Sequence, residues 1–137
     1  MARTAVLADT GFLVALLNLR DAHHEWAMSL LDSRPAPWKT CEAVLTETFH
    51  VLGPQGEHAV SRLLRSGALV PSFRFLELAE PVLKLMRRYS DLPMGFADAC
   101  LVRMTEEDSG SVILTTDSDF RIYRRHGRLT VPCILPP

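Results

Sequence analysis

Paired cysteines are missing from this sequence. Only Cys41, Cys100 and Cys133 occur, far apart and odd in number, with no Cys-x-x-Cys and no cysteine–histidine spacing suited to zinc. That pattern excludes a disulfide framework and a zinc module, and it leaves three reduced thiols of the kind cytoplasmic cores hold. A basic excess is missing too, because the formal net charge is −1. No global field draws in nucleic acid, so a polyanionic partner has to be held by local basic patches or through metal ions. No apolar run approaches membrane length. Arg3 and the apolar stretch after it mimic an export signal, but Asp9 interrupts the stretch and no clean cleavage site follows. The expectation is a cytoplasmic protein without membrane contact. Low-complexity tracts, internal repeats and dividing linkers are lacking as well, so residues 1–137 are read as one domain.

Hydrophobic residues make up 47% of the chain, enough for a real core. They fall into short runs separated by longer amphipathic stretches. Ala5 to Ala8 reads as a strand buried on both faces, and Phe12 to Leu17 as a helix folded back on it after a turn at Gly11. A second helix starts near Asp21, its cap, and Trp38 to Cys41 is a weak strand. Helices follow over Glu42–Leu52 and Glu57–Arg65, then a strand over Ala68–Val70. Arg74 to Tyr89 is a long amphipathic helix that Pro81 kinks or restarts. Another helix begins at Asp91-Leu92-Pro93 and runs to about Glu107. Ser111 to Thr115 is the clearest late strand, Asp117 to His126 a short basic helix, and Leu129 to Cys133 a last strand. Strands alternating with helices imply an α/β fold of three layers, α/β/α, around a parallel sheet of about five strands.

Four carboxylates sit awkwardly for surface residues. In open α/β folds ligands bind beyond the carboxyl ends of the strands. Asp9 falls at such an end, where it either caps the next helix or faces a site. Asp117 and Asp119 follow the late strand in the same way, among the good capping residues Thr116 and Ser118. Glu47 shares a helix side with Ala43, Val44 and Val51, unless that helix is apolar nearly all round and Glu47 marks its wet side. Asp98 stands inside the apolar run Phe96 to Val102, where Asp is a poor helix former. Carboxylates a few Å apart repel by several kcal/mol at an effective dielectric of about 20. A cluster of them holds either protons or hard divalent cations, and an all-oxygen set suits Mg²⁺ or Mn²⁺. Such ions activate water and screen phosphodiesters, so the residues reach metal-dependent phosphate chemistry without naming a substrate.

Asp9-Thr10-Gly11, Ala43-Val44-Leu45-Thr46-Glu47, Leu92-Pro93-Met94-Gly95-Phe96-Ala97-Asp98-Ala99 and Leu114-Thr115-Thr116-Asp117-Ser118-Asp119-Phe120 together resemble a PIN domain. The likeness is greatest to toxin ribonucleases of VapC type and spans nearly the whole chain. It implies that Asp9, Glu47, Asp98 and Asp117 are the four catalytic, metal-binding acids, with Asp119 a further acid nearby. Thr115 matches the hydroxyl residue ahead of the fourth acid, and Thr10 the hydroxyl beside the first. Asp21 and His24 resemble an Asp-x-x-His start to the second helix and are read as structural. Relatives often carry Asp where this chain has Gly95, so a supporting acid is lacking there.

The resemblance also implies Mg²⁺ or Mn²⁺ as cofactor and RNA as substrate, cut to leave a 3′-hydroxyl and a 5′-phosphate. The partners it implies are a second copy of the chain and a cognate antitoxin that blocks the acidic pocket. The long helix Phe73 to Tyr89 and the early helices are the candidate interfaces. Arg121, Arg124, Arg125 and Arg128, with His126 and the Arg87-Arg88 pair, are the candidate RNA contacts, or else a solvated basic face. The rival reading is a non-catalytic PIN-like scaffold that binds RNA or protein. A receiver-like phosphoacceptor wants a lysine after a late strand, and Lys39 and Lys84 are not so placed. A small-molecule phosphatase would show itself on a chromogenic phosphate ester.

Overall fold

The computed structural model describes residues 4–92 and 94–137. Pro93, expected in the first turn of a helix, and Arg3 lie outside them. Strand β1 (Val6–Ala8) leads into helix α1 (Thr10–Leu17), followed by α2 (His24–Ser29), β2 (Trp38–Thr40), α3 (Glu42–Leu52), α4 (Pro54–Ser66) and β3 (Leu69–Pro71). Then come α5 (Phe75–Arg88), α6 (Phe96–Glu107), β4 (Val112–Leu114), a 3₁₀ turn over Ser118–Arg121, β5 (Arg124–Arg125), β6 (Leu129–Thr130) and β7 (Cys133–Ile134).

Five strands form one parallel sheet in the order β3-β2-β1-β4-β7. The α/β expectation of about five parallel strands is met. The order carries the functional consequence. The chain builds outward from β1 through β2 to β3, then crosses back to lay β4 on the other side of β1. The connections therefore diverge between β1 and β4, and this is where open α/β sheets leave a crevice at their carboxyl edge. Ala8 pairs with Leu114 there, so the loops after both strands leave side by side.

The core explains why the strands can be so short. Leu7, Ala8, Ile113 and Leu114 are buried, and the ring of Phe12 lies edge-on to both Trp26 (6.1 Å) and Trp38 (5.4 Å). Aromatic pairs in this geometry add about 0.5–1.5 kcal/mol each beyond their burial. His24 Nδ1 lies 2.8 Å from the carbonyl of Ala15, tying α2 to α1.

Several boundaries move, each for a local reason. Gly11 is no turn; it lies inside α1, and a Cβ there would collide with the Thr116 side chain. Asp21 does not cap α2, which starts at His24; its carboxylate accepts from the amide of His23 in the preceding turn. Helix α4 begins at Pro54, because proline at N1 loses nothing by lacking its amide hydrogen. In α5 the helical geometry breaks at Leu78, three residues before Pro81, whose ring presses on the preceding turn. Helix α6 starts at Phe96 rather than at Asp91, which places Asp98 in its first turn.

The basic helix expected over Asp117–His126 does not form. After the 3₁₀ turn the chain makes an antiparallel hairpin, β5 against β6, and Leu129-Thr130 belongs to that hairpin rather than to the main sheet. His126 (φ 51°) and Gly127 (φ 78°) both take positive φ, as hairpin turns matched to strand twist require.

Candidate active site

Asp9 is set by the end of β1. Its amide donates to Leu114 O at 3.0 Å, continuing the ladder, and its side chain then caps α1 by accepting from Thr10 N at 2.8 Å. Its other carboxylate oxygen accepts from Thr115 Oγ1 at 2.6 Å. Asp9 is thus both the cap and a site residue. It is buried, only 6% exposed. Burial, countered in part by those two hydrogen bonds, lifts its carboxyl from 3.8 to about 6, with the charges of Glu47 and Asp117 adding to the rise.

Thr115 also accepts from Asp117 N at 3.0 Å, so one buried hydroxyl orders the first and fourth acids together. Asp117 in turn caps the 3₁₀ turn by accepting from Asp119 N at 2.9 Å. Of the capping candidates there, Asp117 does the capping.

Asp98 projects from the first turn of α6, where a carboxylate complements the helix dipole. Its carboxyl is raised from 3.8 to about 7, first by burial and then by the charge of Asp9, with smaller pushes from Asp117 and Glu47. Tyr123 OH donates to its Oδ2 at 3.1 Å and opposes that rise. Glu47 is exposed on α3, so the wet-side reading of its helix face is the correct one. It still faces the same space, and Thr10 Oγ1 donates to it at 3.3 Å.

The four acids therefore feel one another. Asp9 and Asp98 each hold their proton more tightly because the other carboxylates are near. The donor set is all oxygen, and two of its members are strained toward protonation, which is the condition a hard divalent cation relieves. Among the described residues no three acidic, histidine or cysteine side chains are drawn close enough together to grip a metal ion as they stand. The remaining places around an ion would fall to water and phosphate oxygens, as is usual for Mg²⁺.

The arginines divide. Arg124 Nη1 donates to three backbone carbonyls, the shortest bond being 2.8 Å to Arg121 O. Arg125 Nη1 donates to Thr105 O at 3.0 Å and to Ser109 O at 3.1 Å, closing the end of α6. Arg121 and Arg128 are exposed. Gly95 is exposed at the N-cap of α6, and a Cβ there would lie 3.9 Å from Asp98 Oδ2, in open space.

Sequence reasoning missed Tyr123. Its partner lies 25 residues away, and a tyrosine between Ile122 and Arg124 gives no local sign of one. Two clefts among the described residues lie away from these four acids. One, of about 300 Å³, is lined by residues such as Lys39, Phe73 and Met104; the other opens between α5, α6 and the hairpin.

Residues 6–125 match the family model of the PIN domain. Among solved structures, the chain is similar to the Mycobacterium tuberculosis toxin VapC20, described as cleaving the sarcin–ricin loop. That likeness has a TM-score of 0.74 and 25% sequence identity, over 84% of this chain and 92% of that one. No curated protein matches the chain in sequence.

Proposed function

Because the chain belongs to the PIN domain family, we propose that it is a divalent-metal-dependent endoribonuclease, the toxin of a toxin–antitoxin pair. The observation that carries this reading is the convergence of Asp9, Glu47, Asp98 and Asp117 on the crevice between β1 and β4. The likeness to VapC20 supports RNA as the substrate and makes the sarcin–ricin loop the first RNA to offer.

In this reading Asp9, Asp98 and Asp117 hold Mg²⁺ or Mn²⁺, with Glu47 as a further ligand or as the base. The ion supplies charge to the phosphate and acidity to a bound water. Thr115 keeps the Asp9 carboxylate turned and ionisable. Exposed Glu47 takes the proton of the attacking water, whose oxygen bonds to phosphorus as the bond to O3′ breaks. The 3′-oxygen then gains a proton from solvent, leaving a 3′-hydroxyl and a 5′-phosphate. Thr10 steadies Glu47, and Asp119 stands behind Asp117.

The reading includes an antitoxin and a second copy as partners, and residues 1–137 acting as one domain in the cytoplasm. Helix α5 supports the dimer: Leu76 is 92% exposed on it, and Phe75 stacks edge-on to Phe96 at 5.1 Å. Among the described residues no helix is long and apolar enough to cross a membrane.

The test is Mn²⁺-dependent cleavage of a sarcin–ricin stem-loop, a transfer RNA and a single strand, by the native chain and by Asp98→Ala. Cleavage that vanishes in the variant, with its melting temperature retained, supports the reading. Full cleavage by Asp98→Ala refutes the assignment, and RNA binding without cleavage by the native chain returns the protein to the scaffold class.

A further inference from the structure

Tyr123 is wholly buried, 0% exposed, yet its hydroxyl reaches Asp98, the one Asp of the four acids that, among the described residues, no backbone amide holds in place. Asp9 and Asp117 are each fixed by an amide and by Thr115. Among the described residues, the hydrogen bond from Tyr123 OH to Asp98 Oδ2, 3.1 Å, is the side-chain contact that orients Asp98.

The phenol is itself immobilised. Its ring lies edge-on to Phe120 (5.4 Å, 84°) and to Tyr89 (5.2 Å, 66°). Tyr89 OH accepts from Arg124 N at 2.8 Å, which pins the backbone immediately after Tyr123. The phenol therefore has one place to put its hydroxyl. A phenol is an undissociated donor across neutral pH and has one hydrogen to give.

We propose that Tyr123 is a positioning residue for metal binding: it takes Oδ2 of Asp98 and leaves Oδ1 as the oxygen offered to the cation. This rests on the nuclease reading above. A carboxylate free to rotate in the first turn of α6 would spread over several orientations, and binding an ion would have to select one of them. The phenol makes that selection beforehand. Partners standing behind metal ligands typically change metal affinity by about 10- to 100-fold when removed.

The experiment is Mn²⁺ titration by calorimetry of the native protein, Tyr123→Phe and Phe120→Leu, with thermal melts in EDTA. Tyr123→Phe keeps the ring and its packing and removes only the hydroxyl. The expected result is an Mn²⁺ Kd raised about tenfold, a melting temperature close to native, and RNA cleavage that recovers when Mn²⁺ is raised to saturation. Phe120→Leu loosens the ring but keeps the hydroxyl, so its melting temperature should fall while its Mn²⁺ Kd rises clearly less than in Tyr123→Phe.

An unchanged Kd in Tyr123→Phe overturns the proposal and leaves the nuclease reading standing. So does an equal rise in Kd in Phe120→Leu, because Tyr123 would then act only as packing. If the native chain itself takes up no Mn²⁺, the nuclease reading falls and the proposal with it.

Discussion

Thr115 and Asp9 are 106 positions apart in sequence, yet Thr115 Oγ1 donates to Asp9 Oδ2 at 2.6 Å, inside the seam where β1 meets β4. The same hydroxyl oxygen accepts from Asp117 N. One side chain thus keeps a buried carboxylate ionisable and sets the loop that carries a second.

Replacing Thr115 by Val keeps the shape and removes both bonds. Hydrogen bonds to charged groups are worth about 1.5–3 kcal/mol, roughly 10- to 100-fold in an equilibrium. Asp9 should then hold its proton above its present value of about 6. Mn²⁺ affinity should drop, more at pH 6 than at pH 8, and Thr115→Ser should restore most of it. Equal Mn²⁺ isotherms for Thr115→Val and native protein at pH 6 would contradict the role given to this hydroxyl.

The metal-free protein should lose stability as pH rises. Asp9 and Asp98 have carboxyls raised from 3.8 to about 6 and about 7 in the folded state. Between those limits the folded chain binds more protons than the unfolded one, so their contribution is fully present below 3.8 and is lost as pH passes through about 6 and then about 7. Melting temperatures in EDTA should therefore fall from pH 5 to pH 8 as far as these two groups govern them. Added Mn²⁺ should reverse the fall most strongly at pH 8, where it competes with the fewest protons. Melting curves across that range, with and without Mn²⁺, read both effects.

Gly11→Ala should damage the site without touching an acid. The added Cβ would collide with Thr116 Oγ1 and come within 3.0 Å of Thr116 Cβ, on the loop between Thr115 and Asp117. Overpacking of this kind costs about 1–3 kcal/mol. Chemical denaturation should register that loss, together with weaker Mn²⁺ binding as Asp117 is displaced.

The arginines should separate into two groups. Substituting exposed Arg121 and Arg128 together by alanine should leave stability near native and flatten the salt dependence of RNA binding. For two phosphate contacts on a single strand the log–log slope should shrink by about 1.4. Arg125→Ala should instead destabilise the chain by about 1–2 kcal/mol, because it frees the carbonyls of Thr105 and Ser109. A salt slope unmoved in the double variant would remove Arg121 and Arg128 from the RNA surface.

Gly95→Asp should tighten Mn²⁺ binding several-fold. The new Cβ has open space 3.9 Å from Asp98 Oδ2 and can bring a fifth carboxylate to the crevice. The same repulsion should lower the EDTA melting temperature at pH 8 relative to native. Calorimetry and melts on one preparation test both signs.

The candidate site was legible because its acids break local rules. Asp9 and Asp117 end apolar strands, and Asp98 interrupts an apolar run, so each stands out against neighbours that a short window already contains. The strand–helix alternation could be read for the same reason. What could not be read depends on contacts across the chain. Tyr123 needs Asp98, and Gly11 needs Thr116. The segment from Arg121 to Thr130 carries no apolar period, and its hairpin is held by Glu106 accepting from His126 N and by Arg88 donating to Gly127 O. Whether the Glu47 face is wet or buried could not be read from its apolar neighbours, because Val51 on the same face is itself exposed.

The strand order has a consequence for biosynthesis. β1 emerges from the ribosome well before its neighbour β4, and Asp117 is made more than a hundred residues after Asp9. A nascent chain halted before that point carries half a crevice and at most three of the four candidate acids. Until β4 has been made the crevice has a single wall, so geometry alone keeps the candidate site from forming on a partly synthesised chain.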